Sequence, residues 1–353
     1  MMSHMKSWCL SCVGILLMLS VVTPRGVTPG SGKERSYVSG SFMLTLDGKN
    51  QGFIKSVDGG AITAEVINEP AGPDSFAKKH IGQPRYEDFT VQVGFSMGRP
   101  VYDWIARSWT VKTERKSGSF IVADAQLQAQ SERRFFNALI TETTIPAMDG
   151  SSKEPAYLTV RLAPESIRVD KASGRVEGEL AKVEQKKFLP ACFRMQIDGL
   201  DCTKISHIDS FTVKRPAVID DVGDARDRAR QPGKVLFPNL RITLPESAAQ
   251  SWLDWHESFV VQGKNDDKAE RNGMLTLLSP NQQTVLATIR FFNMGIFSIQ
   301  NDKAEANADQ VRRVTAELYV ERMEFDAGGE GAQPGSTGTT PPPTTQPVPL
   351  RRG

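Results

Sequence analysis

The sequence predicts a mainly β protein made of two tandem β-barrel or sandwich units, each carrying one short α-helix. Three observations lead there: the chain repeats itself, its apolar residues alternate with polar ones at period two, and each repeat holds a single stretch of helical spacing. Shifted by 151 residues, FMLTLDG at 42–48 falls on FRMQIDG at 193–199, and IKSVD at 54–58 on ISHID at 205–209. The same shift lays RYEDFTV at 85–91 on LFPNLRI at 236–242, and YDW at 102–104 on LDW at 253–255. Further on the shift becomes 156, matching RFFN at 134–137 with 290–293, and 158–169 with 314–325. Matches that keep order and spacing mark a duplicated unit. They divide the chain into a first domain at 36–169, a charged linker at 170–191 and a second domain at 192–326.

Within the first copy, FMLTL, AITAEV, FTVQV, FIVADAQLQA and YLTVRL alternate apolar and polar residues, the pattern of half-buried strands. LDG and IDG place an Asp-Gly turn after the first strand of each copy, as in a hairpin. The helical stretches are PVYDWIARSW and ESAAQSWLDWHESF, the second with Ser247 as its expected cap. Tyr102, Ile105 and Trp109 share one helix face, as do Trp252, Trp255 and Phe259. Residues 67–84 and 214–235 read as long loops. Strands and helices do not alternate, which argues against a doubly wound α/β fold.

The ends differ from the body. Residues 9–22, CLSCVGILLMLSVV, are apolar and follow Lys6, but the run is short for a bilayer span. Residues 1–35 are therefore either a signal-like segment or a region ahead of a later true start. Residues 327–353 hold six Gly, six Pro and five Thr, a composition that cannot build a core, so they read as a disordered tail.

Lys plus Arg number 43 and Asp plus Glu 41, so bulk positive charge gives no basis for nucleic-acid binding. With two of the four cysteines in the apolar N-terminal run, only Cys192 and Cys202 remain for the body. That excludes a disulfide scaffold and a multi-cysteine zinc module. Cys192, Cys202 and His207 cluster in sequence without the paired spacing of a zinc site, and the two cysteines read as ordinary thiols, or as a disulfide if the chain is exported. Gly30-Ser31-Gly32-Lys33 lacks the spacing and the preceding strand of a phosphate loop. Gly94-Phe95-Ser96-Met97-Gly98 fits the nucleophile-elbow pattern between a strand and a helix. Its strand FTVQV is polar on one face, however, and copy two has no glycines at the matching place, so the glycines are expected to serve a tight turn. Asp58, Glu87 and Asp88 form no carboxylate pair. No cofactor, metal or catalytic residue is expected. A serine hydrolase built on Ser96 is the enzymatic alternative, and a secreted β-sandwich binding module is the other.

The combination of LDG, GFIKSVDG, KKHIGQPRYED and YDWI over residues 42–105 resembles the tail tube protein family of contractile phage tails and related injection devices. Copy two keeps the frame of IDG, ISHID, LRI and LDW but replaces KKHIGQP with the doubly charged DDVGDARDRARQPGK at 220–234. The resemblance implies structural β-barrel subunits that close into rings, rings that stack into a tube, and no catalysis. It also implies self-assembly, as a trimer with pseudo-sixfold symmetry or a hexamer, and contact with other tail or injection-device proteins. The place implied is a virion tail or phage-tail-like particle assembled in the cytoplasm; export is the alternative if the N-terminal segment is a signal. Neither a membrane span nor recognition of nucleic-acid sequence is expected. Lys78, Lys79 and His80 in copy one, and Asp220, Asp221, Arg226, Arg228 and Arg230 in copy two, are the candidate subunit-interface residues. Two features depart from the family: the chain has two units where the usual member has one, and a tail protein needs no export signal.

Overall fold

The computed structural model describes residues 40–69, 77–176, 187–220, 229–302 and 311–328. The N-terminal segment with Gly30–Lys33, most of the tail, and Asp221, Arg226 and Arg228 lie outside the described residues. In copy one, β1 (Ser41–Leu46) and β2 (Lys49–Ile54) form the expected hairpin around Asp47 and Gly48, both at positive φ. Next come β3 (Ser56–Gly59), the hairpin β4 (Ile62–Glu69) and β5 (Lys78–Tyr86), β6 (Phe89–Val93) and helix α1 (Arg99–Ser108). β7 (Lys116–Ala123), β8 (Ala129–Ile145), β9 (Met148–Asp149), β10 (Leu158–Ala163) and β11 (Ser166–Lys171) complete it. Copy two contains β12 (Phe193–Ile197), β13 (His207–Ile208), β14 (Phe211–Lys214), β15 (Ala217–Asp220), β16 (Ala229–Pro232) and β17 (Leu240–Pro245). Helix α2 (Gln250–His256), β18 (Arg271–Leu278), β19 (Val285–Asn301) and β20 (Arg313–Ala327) follow. The protein is mainly β, and the alternation that predicts this is visible in β6, where Phe89, Val91 and Val93 are buried and Thr90 is exposed.

One sheet runs β2-β1-β7-β8-β10-β6-β3, and the other β12-β18-β19-β20-β17-β13-β9. Pairing in the two copies keeps the same register. Ser56 and Val57 oppose Gln92 and Val91, and their repeat counterparts His207 and Ile208 oppose Thr243 and Ile242. Thr141 is bulged out of the β8–β10 ladder, and its counterpart Phe297 is skipped in the same way between β19 and β20. Gly118 and Gly273 both face backbone at close range. A Cβ on the first would strike the Thr45 carbonyl, and on the second the carbonyl of Gln196, which takes the place of Thr45 in copy two. The helices pack on equivalent strands, α1 on β8 and α2 on β19. Trp104 and Trp255 are buried, and their indole N–H groups donate to the carbonyls of Glu114 (2.9 Å) and Ala269 (3.3 Å). The apolar interiors of both copies merge into one continuous cluster.

The structure differs from expectation in several places. The single strand expected at 120–129 is two: the Asp124 carboxylate accepts the N–H groups of Gln126 and Gln128 and turns the chain between β7 and β8. The segment expected as a loop at 67–84 carries the end of β4 and most of β5, and that at 214–235 carries the hairpin β15–β16. β4 is exposed on both faces rather than half-buried. Ser247 does not cap α2. It lies in a 3₁₀ turn, Glu246–Ala248, and Ala249 occupies the cap position without a side-chain bond. Residues 170 and 171 belong to β11, and Val176 and Phe188, expected in the linker, are buried. Ala327 is a buried strand residue, and the N–H of Gly328 donates to the Leu286 carbonyl.

Candidate functional site: the seam between the copies

Each sheet borrows a strand from the other copy: β14 of copy two pairs with β8, and β9 of copy one pairs with β13. The reason lies in β8. Asn137 adopts a left-handed φ of 49° and interrupts the β7–β8 register. Its N–H donates to Ser117 Oγ (3.1 Å) and its amide to Glu165 (2.8 Å), so the bulge is satisfied. Beyond it β8 leaves β7 behind and continues with one edge unpaired by its own copy. Phe211, Thr212, Val213 and Lys214 take that edge opposite Ile145, Thr144, Thr143 and Glu142. The hydroxyls of Thr144 and Thr212 lie 2.8 Å apart, and the N–H of Arg215 donates to the Thr141 carbonyl (2.6 Å). Pairing covers backbone groups that a bare edge would leave to water or to another chain.

Charged and aromatic side chains close the seam around this ladder. Arg215 is buried with no carboxylate partner among the described contacts. Its guanidinium donates to the carbonyls of Ser108 (3.2 Å), Thr110, Val111 (3.5 Å) and Gly233 (3.0 Å). The first of these are orphan carbonyls at and just beyond the end of α1, where the helix dipole favours a cation. Burial lowers the pKa of Arg215 from its ordinary value. On β16, Arg230 donates to Asp88 (2.6 Å) and to the Tyr86 carbonyl (2.8 Å), and its N–H to Glu165 (3.2 Å). Asp88 also receives Arg161 at 3.1 Å, so one carboxylate of copy one holds an arginine from each copy. At the other side of α1, Trp109 packs edge-on against Phe325 with centroids 5.6 Å apart, and Arg99 donates to the Ala327 carbonyl (2.7 Å). A hydrogen bond to Asp103 raises the pKa of Arg99.

The candidate interface residues fall in two places. Arg230 lies in the seam. Lys78, Lys79 and His80 lie on the exposed β5, with His80 Nε2 3.2 Å from Glu69 of the same hairpin. Asp220 ends β15 opposite Ala229. The residues that sequence reasoning missed are Arg215, Glu165, Trp109 and Phe325 as seam contacts. The repeat aligned their surroundings, but nothing in one sequence distinguishes a residue that packs on its own copy from one that packs on the other.

The remaining candidates resolve structurally. Tyr102 Oη donates to the Gly94 carbonyl (2.8 Å) and accepts the Met97 N–H (3.0 Å), bracketing Ser96 in a tight turn; burial holds the Tyr102 phenol far above its ordinary pKa. A Cβ at Gly98 would press on the end of the Gln51 side chain, and the Gly98 N–H donates to the Gln51 carbonyl (2.7 Å). Cys192 and Cys202 are free thiols. His207 lies 3.0 Å from Asp209. Among the described residues no group of three or more His, Cys, Asp or Glu is placed to hold a metal, and no helix is long and apolar enough to cross a membrane.

Residues 38–168 match the family model of the T4-like virus tail tube protein gp19. No curated protein matches the chain. Among solved structures, a chain of the sheath–tube complex of an extracellular contractile injection system (PVC) is 20% identical, at a TM-score of 0.35 over 40% of this chain and 95% of that one. A chain of the anti-feeding prophage cap is 22% identical, at 0.34 over 39% and 93%. Hcp1 from Flavobacterium johnsoniae is 16% identical, at 0.25 over 38% and 99%.

Proposed function

We propose that the chain is a structural subunit of a phage-tail-like tube or of a ring at a tube junction, and that it performs no catalysis. The match of residues 38–168 to a tail tube family carries this reading. The seam supports it, because each copy of the unit completes its sheet with a strand from a neighbouring copy. A unit of this kind reaches a closed state only when every edge finds a neighbour. In this reading copy one and copy two are tandem tube domains filling adjacent places, so that three chains form a ring of pseudo-sixfold symmetry. Six chains, with copy two outside the ring, is the rival arrangement. The subunit works inside a phage-tail-like particle assembled in the cytoplasm, against other tail or injection-device proteins.

Negative-stain electron microscopy of the purified full chain tests this. Rings or stacked rings are expected; isolated particles of single-chain size at high concentration would remove the reading.

A further inference from the structure

The seam inside the chain has an outward copy of each half, and both are bare. The edge of β8 at 142–145 is covered by β14, but the equivalent edge of β19, Ser298 to Asn301, pairs only with β20 and has no strand on its other side among the described residues. Conversely, the repeat lays β14 on residues 60–63. Lys214 bridges Leu236 as Thr63 pairs with Arg85, so the correspondence holds in register. The hairpins repeat it: Ala217 opposite Pro232 and Ile219 opposite Arg230 match Val66 opposite Ile81 and Asn68 opposite Lys79. Yet β16 anchors on copy one through Arg230, whereas β4 is exposed from end to end and β5 along most of its length.

Burial at equivalent positions tells the same story. In the seam Val213 is 3% exposed, Trp109 4% and Phe325 5%. Their counterparts at the free ends are Ile62, Val260 and Val169, which are 47%, 43% and 59% exposed. Apolar character is retained at three places where the described residues offer no cover.

We propose that a second copy of this chain supplies that cover, head to tail. Residues 60–63 of one chain pair antiparallel with Ser298–Asn301 of its neighbour, Ile62 opposite Ile299, in the register of Val213 opposite Thr143. The β4–β5 hairpin then lies over the neighbour's copy two with Lys79 in the place of Arg230, its backbone N–H meeting Glu321 as that of Arg230 meets Glu165, while the counterpart of Asp88 is the neutral Asn239. Glu321 is already held by Asn293 at 2.8 Å, as Glu165 is held by Asn137. At the same contact the end of α2, through Val260, meets Val169 on β11 of the neighbour. The two surfaces differ, so the contact is heterologous and propagates until a ring closes. This inference rests on the assembly reading above and specifies its surface.

The test uses two full-length variants, Ile62→Cys and Ile299→Cys, mixed and treated with a short thiol-to-thiol cross-linker. Directly opposed residues on paired strands have Cβ atoms about 4.5–5.5 Å apart, within reach of such a reagent. The expected result is a cross-linked dimer containing one of each variant, absent when either variant or the unmodified chain is treated alone. A third variant, Ile62→Glu, is expected to lose the oligomer while keeping the melting temperature of the separated chain, because Ile62 is exposed there. Rings in the microscope without the mixed cross-link would overturn this interface and leave the assembly reading standing. Ile62→Cys cross-linking to itself would overturn the head-to-tail geometry. Absence of both rings and cross-link would overturn the interface and the assembly reading together.

Discussion

Asn137 and Asn293 show how single residues carry this architecture. Both take a left-handed φ, 49° and 53°, and both donate their amides at 2.8 Å to a glutamate 28 residues later. Asparagine tolerates that backbone region better than most residues. The match RFFN located the pair in the sequence, but not the conformation that ends the β7 ladder and frees β8 for copy two. Arg215 left no sequence signal, since a lone cation after an apolar strand reads as a surface residue. The tryptophans were legible through their helical spacing. Trp104→Ala and Trp255→Ala should each cost about 3–5 kcal/mol in urea unfolding, as buried aromatic truncations do. A near-neutral Trp255→Ala would show that copy two packs differently. Cys202 gives a pH test. Burial pushes its thiol from 9.0 up to about 11, so the folded state holds the protonated form. Any stability this provides is complete below pH 9 and is lost as pH rises through 11. Iodoacetamide should label Cys202 at pH 9 more slowly than a free thiol of ordinary pKa, and at equal rates the burial argument fails.

Among the elements, the two hairpins are the instructive pair. Apart from AITAEV at the start of β4, which read as a half-buried strand, both occupy segments that read as loops, because KKHIGQPR and DRARQPGK show no apolar alternation. That pattern arises from burial of one face, and these strands have little burial within the chain to record. Core strands with a clean alternation, as in β6 and β10, were legible; β8, whose buried run Leu139–Thr141 breaks the alternation at its bulge, was not. Docking separates the hairpins energetically. Arg230→Ala removes a charge-assisted bond to Asp88 in a mostly buried setting and should destabilise the separated chain by about 1–3 kcal/mol. Lys79→Ala, at the equivalent place on the exposed hairpin, should stay within about 0.5 kcal/mol. Equal effects would mean that the β15–β16 hairpin is not held by its arginine. The last strand makes a second contrast. Truncation after Gly328 is expected to leave the melting temperature unchanged. Truncation after Asp326 deletes the buried Ala327 and the bond from Gly328 to Leu286, and should lower it by several degrees. If loss of residues 329–353 alone lowers it, the composition argument for the tail is wrong.

In the molecule as a whole, duplication was plain in the sequence while the exchange between copies was hidden. Similarity at a fixed shift says that two segments form like units; it is silent on which unit pairs with which. The strands that cross over, β9 and β14, are two and four residues long, too short to carry a pattern of their own. They nevertheless join both copies into one core and leave the chain with unlike ends: among the described residues, an uncovered edge on copy two and an uncovered hairpin on copy one. On the proposed reading such a chain assembles through these ends, and the number of chains that satisfies every end is the property that matters most. Native mass spectrometry of the full-length protein at neutral pH measures it directly. A closed species of three times 38.8 kDa is predicted, and a single chain of 38.8 kDa at every concentration would contradict the account.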